Sequence, residues 1–214
     1  TLETACLEPF LDEGSLRWQA ATDESLDHDI IRSANNAFHP EGGIRLLQGN
    51  LGRSLIKTSA VAKERQRITA QAVVISDQAE LKALFERGEL DRDCVVVARF
   101  QGPAANGMPE LHQLMPILGV LQDRGHTVAL VTDGRLSGAS GKVPAAIHVT
   151  PEAAKGGAIG RIQDGDVISL DVAAGELRVA VDEQILADRP HPDTPMARNT
   201  VGRGLFKFSR EVVT

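Results

Sequence analysis

Two apolar runs, each followed by a glycine-rich loop, most constrain how this chain can fold. Residues 94–100 read Cys-Val-Val-Val-Ala-Arg-Phe, and residues 126–131 read His-Thr-Val-Ala-Leu-Val. Continuous apolar runs of this length are typical of strands that are buried on both faces. The segment between them has helical periodicity, so we predict a strand–helix–strand unit with parallel strands. The loops that follow the two strands then lie at the same edge of the sheet, which is where binding sites commonly form.

The helix between these strands is predicted to begin near Pro109, a favourable first-turn residue, and to end at Gly125. Its buried face repeats at helical spacing: Leu111, Leu114, Met115, Leu118 and Leu121. Pro116 must kink this helix or restart it, because proline lacks the N–H that the helical hydrogen-bond ladder uses. Glu110 then falls at the helix N-terminus, beside the loop that follows the first strand.

The rest of the chain contributes mainly short strands. These are predicted at residues 44–48, 54–57, 68–75, 143–149, 167–171 and 177–181. A helix is predicted at 77–88, where Asp77 can act as the N-cap and Glu80 completes a capping-box spacing. Residues 151–155 and 204–210 each read as a single helical turn. Many strands, few helices and one parallel crossover predict a mixed, β-rich α/β domain.

The chain is predicted to divide near residue 40. Residues 1–40 show no strand-like alternation, and residues 23–34 have the pattern of a short amphipathic helix. We interpret residues 1–40 as a helical connecting arm whose apolar residues would pack on another domain. Residues 41–214 form the β-rich domain.

The composition excludes several classes of function. The 214 residues carry a formal net charge of −6 and only 3% aromatic residues, which argues against a nucleic-acid or membrane-surface binder. No apolar run has the length of a membrane-spanning helix. Cys6 and Cys94 are the only cysteines, so neither a disulfide framework nor a self-contained zinc or iron–sulfur site is expected. A reducing, cytoplasmic location fits this cysteine usage best.

Functional chemistry is concentrated in the loop after the second buried strand. Residues 131–142 read Val-Thr-Asp-Gly-Arg-Leu-Ser-Gly-Ala-Ser-Gly-Lys. Backbone N–H groups in such a loop can form an anion-binding nest, and nearby basic side chains would strengthen the attraction. We therefore take Asp133, Arg135 and Lys142 as candidate substrate-binding residues. A surface turn with incidental charges is the alternative.

Three chemistries compete for this loop. A phosphate-binding P-loop fails, because Leu136 stands where the first glycine belongs and Val143 where the metal-binding serine or threonine belongs. Serine hydrolysis would use Ser137 with His148 and Asp133; no G-x-S-x-G elbow surrounds Ser137, but such triads assemble in space and this one stays open.

The third chemistry is abstraction of a proton from a carbon next to a carboxylate. Ser137 could be the base if a metal or nearby cations stabilise its alkoxide. Glu110 could supply one oxygen ligand to Mg²⁺, which takes few protein ligands. Glu110 could equally be a carboxylate that the helix dipole favours at an N-terminus, and both interpretations stay open. The chain lacks the clustered Asp, Glu, His and Cys that a whole metal centre would require.

Four ordered motifs resemble those of a known family. They are Gly49-Asn-Leu-Gly52, Gly102-Pro-Ala-Ala-Asn-Gly-Met-Pro-Glu110, Thr132-Asp-Gly-Arg-Leu-Ser-Gly138, and Val149-Thr-Pro-Glu-Ala-Ala154 with its following glycines and Asp164-Gly-Asp166. In this order they resemble the C-terminal domain of the iron–sulfur dehydratases that act on dihydroxy acids and on 6-phosphogluconate. The variants of the second and third motifs are similar to those of the phosphogluconate branch.

The resemblance implies a fold, a reaction and roles for two residues. The fold is a β-barrel-like swivelling β/β/α domain with peripheral helices. The reaction is the dehydration of 6-phosphogluconate to 2-dehydro-3-deoxy-6-phosphogluconate in the Entner-Doudoroff route; another sugar-acid or dihydroxy-acid substrate, or a non-catalytic anion-binding domain, are the alternatives. Ser137 corresponds to the base at C2 and Glu110 to a Mg²⁺ ligand.

The resemblance also implies partners that this chain does not contain. An iron–sulfur cluster, expected to be 4Fe-4S, is held in the family by an N-terminal domain, and neither Cys6 nor Cys94 matches its motifs. We therefore expect no cluster ligand in this chain and no activity from the chain alone. A homodimer is expected, with no nucleic acid and no membrane as partner.

Overall fold

The two buried strands and the helix between them form as the sequence predicts. In the computed structural model, which describes residues 7–20, 25, 27–137 and 141–195, β6 (Cys94–Ala98) and β7 (Val128–Thr132) are parallel neighbours. Every residue of both strands is buried. Alternate residues explain this burial, since Val95 and Val97 face the core inside a barrel while Cys94 and Val96 face the helices outside it.

The chain divides after Gly43 into two units. The second unit is a closed eight-stranded barrel in the order β10-β3-β4-β8-β7-β6-β5-β9. Its other strands are β3 (Ile44–Gly49), β4 (Gly52–Lys57), β5 (Arg67–Ile75), β8 (Ala145–Thr150), β9 (Val167–Asp171) and β10 (Glu176–Val179). Strands β5, β6, β7 and β8 are consecutive parallel neighbours, so their carboxyl ends meet at one end of the barrel. The expected β-rich α/β barrel is confirmed.

Four α-helices accompany the described strands: α1 (Gln78–Glu86), α2 (Pro103–Asn106), α3 (Leu114–Asp123) and α4 (Glu183–Asp188). Helices α1 and α3 cover the outer face of β5–β7 and share a core with it. Short 3₁₀ turns occupy Ala153–Lys155 and Ala158–Arg161. Asp77 caps α1 as predicted, since its Oδ1 accepts the N–H of Ala79 at 2.7 Å. No helix of the described part of the chain could cross a membrane.

The predicted start of the helix at Pro109 is wrong, because α3 begins five residues later. Gly107 and Met108 have φ values of +63° and +56°, a left-handed conformation that ends α2 and cannot continue a right-handed helix. Pro116 therefore lies in the first turn of α3, where its missing N–H leaves no intrahelical bond unmade. The predicted buried face of the helix is confirmed.

The described residues of 1–40 contain no α-helix, so the helical character predicted for them is wrong. The described residues of this first unit form a hairpin, β1 (Leu7–Asp12) and β2 (Ser15–Ala20), and a 3₁₀ turn, Ala34–Asn36. Both turn residues, Glu13 and Gly14, have positive φ, which suits a two-residue hairpin turn. The role of the segment as an arm toward another domain stays a prediction. The helical turn predicted at 204–210 lies outside the described residues.

Candidate active site

The candidate site is built from three loops at the carboxyl ends of the parallel strands. One loop follows β6, one follows β7 and one follows β8. Glu110 and Arg135 form an isolated parallel bridge between the first two loops, and the backbone N–H of His148 donates to the carbonyl of Gly134 at 2.9 Å. The loops are therefore bonded to one another as well as to the strands below, which fixes the side chains they carry.

Asp133 is a buried anchor for all three loops. Asp133 is 1% exposed. Its carboxylate accepts the N–H groups of Phe100, Gln101 and Ala153 at 3.2, 2.8 and 2.9 Å. Burial raises the pKa of the Asp133 carboxyl, whereas the three N–H donors act in the opposite direction. Asp133, a candidate substrate-binding residue, thus faces the protein interior and positions the loops.

Glu152 has a matching role between the loops after β6 and β8. It is 7% exposed, and its carboxylate accepts the N–H groups of Ala104 and Ala105, at 3.0 and 3.2 Å, in the first turn of α2. Gly102 makes this approach possible, because a Cβ at that position would lie 2.3 Å from the Glu152 Oε2. The sequence motif around Glu152 therefore has a structural explanation, which sequence reasoning missed.

Glu110 holds the loop that carries Ser137. Its Oε2 pairs with the Arg135 guanidinium at 2.9 Å, and its Oε1 accepts the backbone N–H of Ser137 at 2.9 Å. Arg135 also donates through Nε to the carbonyl of Met108 at 3.0 Å. Glu110 lies between α2 and α3, so the expectation that it sits at a helix N-terminus is wrong. The structure brings Glu110, Arg135 and Ser137 together.

Ser137 is exposed at the end of this network. Its hydroxyl makes no hydrogen bond to any other residue that the structure describes. Ser137 borders a small, mostly apolar hollow together with Lys57, Leu136 and Ile147. Since its hydroxyl has no partner among the described residues, that part of the chain leaves it open to a ligand.

Lys142 lies on the far side of the same loop and is exposed. It has no hydrogen bond or ion pair to the described residues. Gly141, its neighbour, packs against Ala60, since a Cβ on Gly141 would lie 2.4 Å from the Ala60 Cβ. Residues 138–140, which complete the loop, lie outside the described part of the chain. Lys142 and Arg135 are thus the cations that flank Ser137 along the sequence, but only Arg135 is tied to Glu110.

His148 does not form the hydrolytic triad that the sequence left open. The Asp133 carboxylate is occupied by backbone N–H groups, and no hydrogen bond joins His148 to Ser137 or Asp133. Burial, followed by the positive charge of Arg135, lowers the pKa of the His148 imidazole. The ring therefore lies within electrostatic range of Arg135, on the strand next to the serine loop.

Strained backbone occurs in the loop after β6 and within β8. Phe100, Met108 and His148 have φ values of +61°, +56° and +56°, which are costly for residues with a β-carbon. Each lies after β6 or in the irregular part of β8, where the register with β4 shifts. Strain of this kind often accompanies functional sites, and nothing in the sequence pattern predicts it.

The described residues of the site do not form a metal centre by themselves. No group of three or more His, Cys, Asp or Glu side chains is arranged to hold a metal ion among them. The Glu110 side chain is 32% exposed, whereas Asp133 and Glu152 are buried. Cys94 is buried in β6, and burial raises the pKa of its thiol to about 11, which suits a core residue and not a ligand.

The sequence of this chain matches one family of domains. The family model described as dihydroxy-acid/6-phosphogluconate dehydratase C-terminal matches residues 29–214. The chain belongs to this family, as the order of its motifs indicated.

Two curated relatives define the nearer group. The phosphogluconate dehydratase of Pseudomonas aeruginosa is 55% identical over 208 residues, and that of Escherichia coli K12 is 56% identical over 207. These matches cover 97% and 96% of this chain but only 34% of each relative. A dihydroxy-acid dehydratase of Archaeoglobus fulgidus is 42% identical over 187 residues, 86% of this chain and 34% of the relative. The chain thus spans about a third of the length of these relatives.

Proposed function

We propose that this chain is the C-terminal part of a dehydratase that converts 6-phospho-D-gluconate to 2-dehydro-3-deoxy-6-phospho-D-gluconate and water. The observation that carries the proposal is the Ser137 hydroxyl, which is unpartnered among the described residues and held at the barrel end by Glu110. The relatives named phosphogluconate dehydratase support this choice of substrate, since their sequences are 55% and 56% identical to this one over nearly the whole chain. A role in the Entner-Doudoroff route follows from that reaction.

In this proposal Ser137 removes the proton from C2 of the substrate. The electron pair of the C2–H bond forms the C2–C3 double bond, the C3 hydroxyl leaves and is protonated to water, and the resulting enol becomes the 2-keto product. A serine hydroxyl is a weak base unless positive charge stabilises its alkoxide. Arg135, beside Ser137 in the loop, supplies one such charge. Glu110 keeps the serine backbone in place while the proton moves.

Arg135 and Lys142 are proposed to bind the anionic groups of the substrate. Arg135 is 47% exposed in its side chain and uses Nε and one terminal nitrogen for Met108 and Glu110. Lys142 is exposed beside the same loop. A guanidinium and an ammonium at one edge suit a carboxylate and a phosphate group. Asp133 is not part of this set, because it is buried.

The resemblance implies an iron–sulfur cluster and Mg²⁺, and the two fit this chain differently. Cys94 is buried in the barrel wall and Cys6 lies outside the described residues, so no described residue can hold a cluster at the site, and we derive no step through it. Glu110 fits as a single Mg²⁺ ligand, because a carboxylate that accepts two N–H groups still has lone pairs to share. Mg²⁺ bound there would supply charge that stabilises developing negative oxygens.

The remaining ligands and the cluster are proposed to come from a domain that precedes this chain in a longer polypeptide. The share of the relatives that the chain covers, 34%, supports this arrangement. We also propose a homodimeric, cytoplasmic enzyme that binds neither nucleic acid nor membrane. The isolated chain is then expected to be catalytically silent.

A substrate panel tests the proposed reaction. The intact polypeptide that contains these residues is offered 6-phosphogluconate, gluconate and a branched dihydroxy acid, and formation of the 2-keto product is followed. We expect turnover of 6-phosphogluconate to exceed that of the other two. Preference for the dihydroxy acid would favour the reaction named for the Archaeoglobus fulgidus relative. Binding of the sugar acids without turnover would favour a non-catalytic anion-binding domain.

A further inference from the structure

The hairpin formed by β1 and β2 has one face made entirely of apolar residues. The antiparallel register pairs Leu7 with Ala20, Pro9 with Trp18, and Leu11 with Leu16. Directly opposed residues of a hairpin lie on the same face. Leu11 is 76% exposed and Trp18 is 60% exposed. A contiguous apolar surface of this kind usually marks a contact with another protein surface.

The opposite face of the hairpin is mostly polar, and Phe10, which lies opposite Arg17, is its one apolar residue. Arg17 pairs with Asp12 at 3.0 Å between Nε and Oδ2, and the Gln19 amide donates to the Glu8 carboxylate at 2.7 Å. Such cross-strand pairs suit a face that meets water. The two faces of the hairpin therefore differ in polarity, and the apolar face is the one that suits contact with a partner.

An isolated two-stranded hairpin is only marginally stable in water, and it normally needs a further strand or a packing surface. The other element described in residues 1–43 is the 3₁₀ turn Ala34–Asn36. The apolar side chains of the hairpin are exposed, so the described residues of this unit do not cover them. A packing surface for this face would have to come from outside the described residues of the unit.

The comparisons indicate where the partner lies. The C-terminal family model begins at residue 29, after the hairpin. The match to the Pseudomonas aeruginosa relative covers 208 of the 214 residues, so it has to include the hairpin. The hairpin is thus shared with relatives that are about three times as long, yet it lies outside the domain that the C-terminal family defines. The hairpin therefore lies between the matched C-terminal domain and the part of the relatives that comes before it.

We propose that the apolar face of the β1–β2 hairpin is a docking surface for the domain that precedes it in a longer polypeptide, and not for a second copy of this chain. The inference rests on the proposed function only in placing the chain inside such a polypeptide. The hairpin would then be the last element of that domain, and the link to the barrel would follow it.

Hydrogen–deuterium exchange tests this proposal without requiring turnover. The amides of residues 7–20 are followed in the 214-residue chain alone and in the intact polypeptide. We expect exchange roughly 100-fold slower in the intact polypeptide, because packing suppresses local opening. Equally fast exchange in both would overturn the proposal. So would protection in the chain alone that disappears on dilution, since that result identifies a second copy as the partner.

Paired variants of the intact polypeptide separate docking from hairpin stability. Leu11→Ser with Trp18→Ser alters the apolar face, and Arg17→Ser with Gln19→Ser alters the polar face of the same two strands. The apolar pair should lose at least about tenfold of the protection in residues 7–20, while the polar pair should keep most of it. Equal loss in the two pairs would overturn the proposal. A protected hairpin in a polypeptide that does not dehydrate 6-phosphogluconate would refute the proposed reaction and leave the docking surface intact.

Discussion

At the scale of single residues, Asp133 is the side chain on which the three site loops depend most. Asp133→Ala would leave three buried backbone N–H groups without an acceptor, so we expect a loss of about 3–5 kcal/mol in the free energy of unfolding. Urea unfolding of the chain measures this loss of free energy. Asp164→Asn is the control, because exposed Asp164 accepts one N–H, from Val74, and asparagine keeps that acceptor. A loss below about 1 kcal/mol for Asp133→Ala would contradict the anchoring role.

Glu110 is expected to combine a weak structural role with a stronger role in cation binding. Glu110→Gln keeps an oxygen for the Ser137 N–H but loses the half-exposed ion pair with Arg135, which should cost less than about 1 kcal/mol of stability. In the intact enzyme the same change should raise the Mg²⁺ concentration for half-maximal activity at least about tenfold. An unchanged Mg²⁺ requirement with normal stability would show that the carboxylate only tethers the loop.

His148 should report the charge of Arg135 through its titration. Because burial and Arg135 lower the pKa of the imidazole, the native state disfavours the charged ring. The stabilising contribution of neutral His148 is therefore present above its ordinary pKa and lost as the pH falls through the lowered pKa. In NMR titrations, Arg135→Gln should raise the pKa of His148, while Arg178→Gln on β10 should leave it in place. An unchanged His148 pKa in the Arg135→Gln variant would show that the charge of Arg135 does not act on the imidazole.

At the scale of elements, the barrel closes at a narrow seam between β3 and β10. Gly49 is part of this seam, since a Cβ there would lie 1.8 Å from the carbonyl oxygen of Leu177. Asn50 completes it with two hydrogen bonds to the backbone of Val179, at 2.8 and 2.9 Å. The Gly-Asn-Leu-Gly motif is thus explained by closure of the barrel.

Gly49→Ala should therefore separate β3 from β10 and destabilise the barrel by about 3 kcal/mol or more, because backbone must move to admit the methyl group. Gly119→Ala is a matched control in α3, where an added Cβ meets nothing within 4 Å and alanine favours the helix. Thermal unfolding should show a lower midpoint for the first variant and an equal or higher midpoint for the second. Equal midpoints for the two variants would refute the seam.

Much of the arrangement of elements could be predicted from the sequence, for reasons that differ between elements. The runs in β6 and β7 are apolar throughout because both faces are covered, so their burial and their parallel pairing follow from pattern alone. The start of α3 could not be predicted, because it depends on left-handed backbone at Gly107 and Met108. The hairpin was missed although residues 15–20 alternate polar and apolar side chains, because the whole of residues 1–40 was interpreted as a helical arm.

The candidate site was predictable only in part. The rule that parallel strands end at one edge places Glu110 and Ser137 together, and the structure shows the bond between them. The direction of the Asp133 side chain does not follow from the sequence, since loop residues have no fixed periodicity. The same is true of Glu152, whose partners in α2 lie 47 and 48 residues earlier in the chain.

At the scale of the whole molecule, we propose that the chain forms one wall of a site and carries the base. The barrel provides rigid strand ends, the buried carboxylates of Asp133 and Glu152 fix the loops on them, and Glu110 holds the backbone of Ser137. The described residues place no cluster ligand beside Ser137, and Glu110 is the carboxylate bonded to its backbone. We therefore propose that this chain removes the proton and that the preceding domain supplies the metal-assisted loss of the hydroxyl.

The most direct test is the turnover of 6-phosphogluconate by the intact enzyme with Ser137→Ala, measured with its iron and Mg²⁺ content verified. Loss of a base that acts in the transition state should lower kcat about 10²–10⁴-fold. Ser169→Ala is the control, because the Ser169 hydroxyl bonds to Thr69 on neighbouring β5, at 2.7 Å, away from the site loops. The kcat of this variant should be unchanged. Near-normal turnover by Ser137→Ala with full metal content would contradict the account.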